Sequence, residues 1–164
     1  MFELSADVKA QIDVWRAKFP TEQPRSAVIM ALRVVQQEQG WLSDQALDAV
    51  ANYLSVPIVE VSEVVSFYSM YRRQPVGRHV IAVCTSLSCH LCKASNLLAH
   101  LKQRLGIGPG ETTEDGLFTI EIAECLAACG GAPAVLVNDG EYHEYMNIEK
   151  LDALIDTLSQ TEAV

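Results

Sequence analysis

Through the first half of the chain, apolar residues recur every three or four positions, the spacing that lines up one face of an α-helix. Val8, Ile12, Trp15 and Phe19 make the first such stripe, with Ser5 placed to cap it and Pro20 to follow its end. A second helix is predicted from about Ser26, with Val28, Ala31, Leu32 and Val35 on one stripe and Gly40 as a left-handed cap. Ser43 starts a third, which carries Leu47, Val50, Ala51 and Leu54. A fourth takes Pro57 in its first turn and bears Ile58, Val61, Val64, Val65 and Tyr68. Its β-branched content favours a strand, but the three-and-four spacing decides for a helix. Short helices of this kind stabilise one another poorly without a partner, so a weak core is expected here.

Arg72-Arg73-Gln74-Pro75-Val76-Gly77 is rich in turn formers and marks a boundary. It divides the chain into a helical domain, residues 1–76, and a mixed domain, residues 77–164. Beyond it the period changes. Residues 79–83 form a short apolar strand ending at Cys84, and a helix is predicted from about Cys89 to Leu105 with Leu91, Leu98, Leu101 and Leu105 on its buried side. Residues 106–117 read as a loop. Residues 118–123 alternate Phe118, Ile120 and Ile122 with polar neighbours, a second strand leading into Cys125. Residues 134–137 make a third strand, and Asn138-Asp139-Gly140 turns it into a fourth over residues 142–146. A last helix runs over residues 148–158 with Leu151, Leu154, Ile155 and Leu158 inward. The order β-α-β, loop, β-β-α, with a parallel first crossover, is the thioredoxin-like arrangement of an α/β fold. Pro133 stands just before the third strand, where such folds often keep a cis proline, and the sequence leaves its isomer open.

Composition narrows the function. The net charge of −9 is uneven, with −2 in residues 1–76 and −7 in residues 77–164. That argues against binding a nucleic-acid backbone, which needs clustered Lys and Arg. No apolar run is long enough to span a bilayer. The start MFELSADVKAQIDVW lacks the basic and apolar regions of a signal peptide. Five cysteines without a secretory signal are expected in a reducing compartment, where thiols bind metals or do redox work.

Four of those cysteines form two pairs, Cys84-x4-Cys89 and Cys125-x3-Cys129. Four thiolates suit zinc or an iron–sulfur cluster. Loops of this width pass around something larger than one ion, and a [2Fe–2S] rhomb takes two thiolates on each iron. Cys84 closes one strand and Cys125 follows its neighbour, so both lie at the sheet edge where α/β folds bind ligands. Cys89 is expected near the N-terminus of the long helix, where free N–H groups favour anions. In Cys129-Gly130-Gly131-Ala132-Pro133 the glycines allow close backbone approach and can offer N–H groups to sulfur. Glu121 and Glu124 would disfavour an added electron if they point inward.

Cys92 gives rival readings. Cys84-x4-Cys89-x2-Cys92 matches the first three ligands of a plant-type ferredoxin, and Cys89-His90-Leu91-Cys92 is a C-x-x-C like that of a thiol–disulfide oxidoreductase. The first leaves Cys125 or Cys129 unused, and the second leaves three cysteines unexplained. The two-pair reading leaves only Cys92, as a small helical hydrophobe. His90 reads as solvent-facing. Phe67, Tyr68, Tyr71 and Trp41 fit a docking surface or a core equally well. Arg72 and Arg73 read as a solvated loop. Gly106-Ile107-Gly108-Pro109-Gly110 lacks the G-K-[ST] ending of a phosphate loop.

The chain resembles the thioredoxin-like [2Fe–2S] subunit of NADH:quinone oxidoreductase, respiratory complex I. The residues that carry this are the two cysteine pairs separated by 35 residues, Gln39-Gly40-Trp41, Ser66-Phe67-Tyr68-Ser69, Gln74-Pro75-Val76-Gly77-Arg78-His79 and Cys129-Gly130-Gly131-Ala132-Pro133. The resemblance implies one [2Fe–2S] cluster held by Cys84, Cys89, Cys125 and Cys129, with Cys92 outside the ligand set. It implies an oxidoreductase subunit with no catalysis of its own. Its partners would be the flavin- and NADH-binding subunit, with the cluster near that flavin, and the large iron–sulfur subunit. Its place would be a peripheral arm on the cytoplasmic side of the bacterial inner membrane, or the matrix in an organellar homologue. Related subunits serve NAD-linked hydrogenases and formate dehydrogenases.

Overall fold

Ser5 caps the first helix: its hydroxyl accepts a hydrogen bond from the Val8 N–H at 3.2 Å, and α1 runs Ala6–Arg16. The computed structural model describes residues 2–160. α1 ends before Phe19, which the periodicity placed on its buried face and which is exposed. Tight bonds from Lys18 N–H to Trp15 O and from Phe19 N–H to Arg16 O close the end, and the Lys18 ammonium lies 3.5 Å over the Trp15 ring. A 3₁₀ turn, Pro24–Ala27, leads into α2, Val28–Gln39, which starts two residues later than expected and ends at Gly40 with φ +79°. Ser43 caps α3, Asp44–Leu54, by accepting from the Ala46 N–H. Pro57 is the cap of α4, Ile58–Phe67, rather than part of its first turn, and Tyr68 lies just past its end.

Met1–Pro75 is one compact unit. Its core is more continuous than helices this short lead one to expect: Ile12, Val28, Leu32, Val35, Val50, Leu54 and Val61 are all fully enclosed. Each such side chain contributes about 1.5–3 kcal/mol by leaving water. Polar anchors fasten the last segment to this core. Gln36, buried in α2, donates to Met70 O at 2.9 Å and accepts from the Arg72 N–H at 2.8 Å. The Leu42 N–H reaches Arg72 O, and the Tyr71 hydroxyl donates to Ile29 O at 2.7 Å. Of the four aromatics in question, Tyr71 is core, whereas Phe67 is 81% exposed.

Burial pushes the Tyr71 phenol up to about 12, against a lowering by Arg33 and a smaller raising by Tyr68. The folded state therefore holds this proton more tightly than the unfolded chain, whose tyrosine titrates near 10. The resulting stability is complete below pH 10 and is lost as pH rises from 10 toward 12. Tyr71→Phe is expected to cost roughly 1 kcal/mol at neutral pH, by removing the hydrogen bond from the Tyr71 hydroxyl to Ile29 O. It should also weaken the alkaline decline, and urea unfolding at pH 7 and pH 11 reads both effects.

The second unit, Val76–Val164, holds a four-stranded sheet of order β2-β1-β3-β4. The strands are β1, His79–Cys84; β2, Phe118–Ala123; β3, Val135–Val137; and β4, Glu141–His143. β1 pairs with β2 in parallel, Cys84 opposite Ala123, and the other two pairings are antiparallel. This is the β-α-β, β-β-α order that the pattern predicts. β1 is buried along its whole length, and Ile81, Ile120, Leu101 and Leu151 are fully enclosed. Gly77 lies at the start of the unit, next to Val76. Its N–H donates to Thr119 Oγ1 at 2.6 Å, and the Arg78 N–H donates to Gly116 O.

Three expectations fail here. The helix expected from Cys89 to Leu105 is two helices, α5, Leu87–Leu91, and α6, Ala94–Leu105. Between them Lys93 adopts φ +70° and its N–H bonds back to His90 O. The break turns Leu91 outward, and Leu97 rather than Leu98 enters the deepest core. Ile122, at the open end of β2, is 49% exposed instead of alternating inward. β4 ends at His143, short of Met146, because the chain leaves the ladder for the loop before β3: the Tyr145 N–H bonds Gly131 O and the Met146 N–H bonds Pro133 O. The last helix, α7, spans Ile148–Gln160, with Leu151 and Ile155 buried.

Candidate metal centre

β1 delivers Cys84 to the open edge of the sheet between its two neighbours. The Cys84 N–H donates to Ala134 O, and the Thr85 N–H to Ala123 O. The chain then turns into α5, where Cys89 lies buried. Both thiols are almost fully enclosed, and the Cys89 thiol is hydrogen-bonded to Cys84. Burial opposes ionisation of Cys84, but the N–H groups of Ser86 and Leu126, together with the Cys89 thiol, outweigh it and bring its pKa below the ordinary thiol value. Cys89 moves the other way. Burial and the neighbouring sulfurs of Cys84 and Cys129 raise it, against one N–H from Ala134. Ionisation is thus easier at Cys84 than at its neighbour Cys89.

The second pair comes from the loop after β2. Leu126, whose N–H reaches the Cys84 sulfur, directly follows Cys125. The Ala127 N–H donates to Cys125 Sγ at 3.3 Å, with Ala127 itself at φ +55°. That left-handed conformation at a non-glycine residue costs about 1–3 kcal/mol and winds the loop so that successive N–H groups face sulfur. Cys129 opens a 3₁₀ turn, Cys129–Gly131, and is near enough to Cys89 for its charge to be felt there. The Ala132–Pro133 peptide is cis.

Of the sequence-predicted ligands, Cys84 and Cys89 are therefore in contact, Cys129 lies near enough to act on Cys89 through its charge, and Cys125 is tied to Cys84 through the N–H of its neighbour Leu126. Cys92 stands apart. It is exposed at the end of α5, in a pocket with Lys93, Asn96, Leu97 and Met146. Among the described residues no three His, Cys, Asp or Glu side chains close in as a single metal ion requires. His90 is exposed and pairs with Ser95.

The N–H groups on sulfur come from Ser86, Leu126, Ala127 and Ala134, while Gly131 spends its own on Ala128 O. Backbone donors carry no side-chain signature. Nor does Cys89 sit at the head of the long helix, since α5 intervenes. Gly131 has a different purpose: a Cβ there would stand 2.3 Å from Glu144 Cδ and 2.6 Å from Glu144 Cβ and Cγ.

The family model for the thioredoxin-like [2Fe–2S] ferredoxin matches residues 12–159. The chain belongs to this family. Its cofactor is accordingly a [2Fe–2S] cluster, and thiolates held by convergent N–H donors suit such a cluster. As a thioredoxin-like ferredoxin, the chain is 43% identical over 139 residues to NADH-quinone oxidoreductase subunit 2 of Thermus thermophilus, covering 85% of this chain and 77% of the relative. It is 39% identical to a subunit of the NADH-quinone oxidoreductase of Escherichia coli K12, over 94% of this chain and 92% of the relative. Among solved structures, an NAD+-reducing [NiFe]-hydrogenase in its air-oxidised state matches 78% of this chain with a TM-score of 0.68 and 27% identity. The match spans 22% of that longer chain.

Proposed function

We propose that this chain is the electron-transfer subunit of an NADH:quinone oxidoreductase, with Cys84, Cys89, Cys125 and Cys129 as the four ligands of its cluster. The observation that carries the reading is the interlock of two cysteine loops through N–H donors, Leu126 onto Cys84 and Ala134 beside Cys89. When bound, the cluster supplies one-electron chemistry. The protein's part is to hold four thiolates, to enclose Cys84 and Cys89 from water, and to favour negative charge on sulfur through backbone dipoles.

The partners are other subunits of the same complex: the flavin- and NADH-binding subunit, with its flavin near this cluster, and the large iron–sulfur subunit. Unpartnered apolar surface supports such docking. α4 turns Val61 and Val65 inward yet leaves Ile58, Val59 and Phe67 exposed, so it is apolar on both faces. Around the cysteines, Leu87, Leu91 and Ile122 are exposed as well. No helix among the described residues is long and apolar enough to cross a membrane. The reading places the chain in a peripheral arm, on the cytoplasmic side of the membrane.

A diaphorase subunit of an NAD-linked hydrogenase is the second reading, supported by the hydrogenase match. The greater identity to quinone oxidoreductase subunits favours the first. Purification of the tagged chain with its native partners separates the two. Co-purified NADH:quinone reductase activity bears out the first reading, and hydrogen-dependent NAD+ reduction replaces it with the second. On the anaerobically purified chain, about two irons and two sulfides with a [2Fe–2S] EPR signal after dithionite are expected. Zinc in their place would overturn the cluster reading.

A further inference from the structure

The Glu144 side chain lies across the turn that carries Cys129. Its β, γ and δ carbons occupy the space that a side chain on Gly131 would fill. Gly131 belongs to the same 3₁₀ turn as Cys129 and is buried. The backbone on either side is fixed to this loop, by Tyr145 N–H to Gly131 O at 2.6 Å and by Met146 N–H to Pro133 O at 3.0 Å. Tyr145 takes φ +51° to permit it, a conformation rare for a bulky residue. Glu144 thus lies against the loop while exposed to solvent, and among the described residues no hydrogen bond or ion pair engages its carboxylate. The contrast within the hairpin is Glu141, whose carboxylate faces His143 at 3.6 Å.

A carboxylate lying against a ligand turn has one direct consequence. Reduction adds one electron to the centre, and a fixed negative charge nearby opposes that addition. We propose that Glu144 is a charged positioning residue that holds the reduction potential of the centre low, seated on the Cys129 turn by the missing side chain of Gly131. The inference rests on the ligand set proposed above. It assigns a role to a residue in β4's outgoing segment, remote in sequence from every cysteine.

The test is a potentiometric titration of the full chain with its cluster, comparing Glu144→Gln, Glu144→Lys, Glu144→Asp and Glu141→Gln. Glu144→Gln removes charge at constant shape and, with solvent screening this exposed carboxylate, should favour the reduced form about twofold to threefold, roughly 18–28 mV upward at 59 mV per tenfold for one electron. Glu144→Lys should shift it in the same direction by about the square of that factor. Glu144→Asp should stay near wild type, and Glu141→Gln should move less than Glu144→Gln. Unshifted Gln and Lys variants would overturn the proposal. So would a common shift, or cluster loss, in all three Glu144 variants regardless of charge, since that marks a packing role alone. Wild-type protein that takes up no [2Fe–2S] cluster under the same conditions would remove the ligand assignment and this inference with it.

Discussion

Cys125→Ser is expected to lose the [2Fe–2S] cluster, while Cys92→Ser keeps the full complement of iron and sulfide. Both cysteines are exposed, so burial does not separate them. What separates them is their surroundings. Cys125 sits in a loop wound so that its own sulfur receives the Ala127 N–H and the next N–H, that of Leu126, serves Cys84. Removing its thiolate leaves one iron with a single protein sulfur. Cys92 opens instead onto a pocket lined by Asn96 and Met146, between α6 and the start of α7. Iron, acid-labile sulfide and the EPR spectrum of anaerobically purified variants decide the matter. A Cys92→Ser protein without cluster beside a Cys129→Ser protein with one would show that Cys84, Cys89 and Cys92 form the ligand core.

Gly77→Ala should be the most damaging single-methyl change, at about 3 kcal/mol, the upper part of the usual overpacking range. A Cβ at this position would stand 2.7 Å from the Phe118 carbonyl carbon, 2.9 Å from its nitrogen and 3.0 Å from the Leu117 carbonyl carbon. These are backbone atoms at the start of β2, locked by parallel pairing of His79 with Phe118, and they cannot turn aside as a flexible side chain could. The Gly77 N–H would also be drawn off Thr119 Oγ1, a buried acceptor. Thermal unfolding of the two proteins checks this, since each kcal/mol moves Tm by roughly 4–8 °C in a unit of this size. A change within 2 °C, on the order of less than 0.5 kcal/mol, would show that the strand ends yield.

Much of this was legible from residue spacing. Side-chain periodicity marks which face of an element is buried, and for α2, α3 and α7 the marked residues Leu32, Val50 and Leu151 are fully enclosed. The cysteine loops were legible because thiolates are themselves the chemistry. The break between α5 and α6 was not. His90, Leu91, Cys92 and Lys93 include no glycine or proline to announce it, and the left-handed turn falls on Lys93, a residue type that gives no sign of it. The N–H donors were hidden for a related reason, because Leu126, Ala127 and Ala134 act through backbone that every residue possesses. Glu144 lies fifteen positions beyond Cys129, and only the closure of the hairpin on the Gly131 turn brings them together.

The stretch between the two units carries one more consequence. Arg72 is tied to Gln36 and Leu42 on one side, and Gly77 and Arg78 are tied to Thr119 and Gly116 on the other. Each end is held by residues of its own half, and the intervening Gln74-Pro75-Val76 is left to join them. A gene interrupted between the codons for Gln74 and Val76 would encode two polypeptides, each with its terminal anchor complete. The cluster-bearing piece could then be recombined with other helical leaders, as an exchangeable cassette.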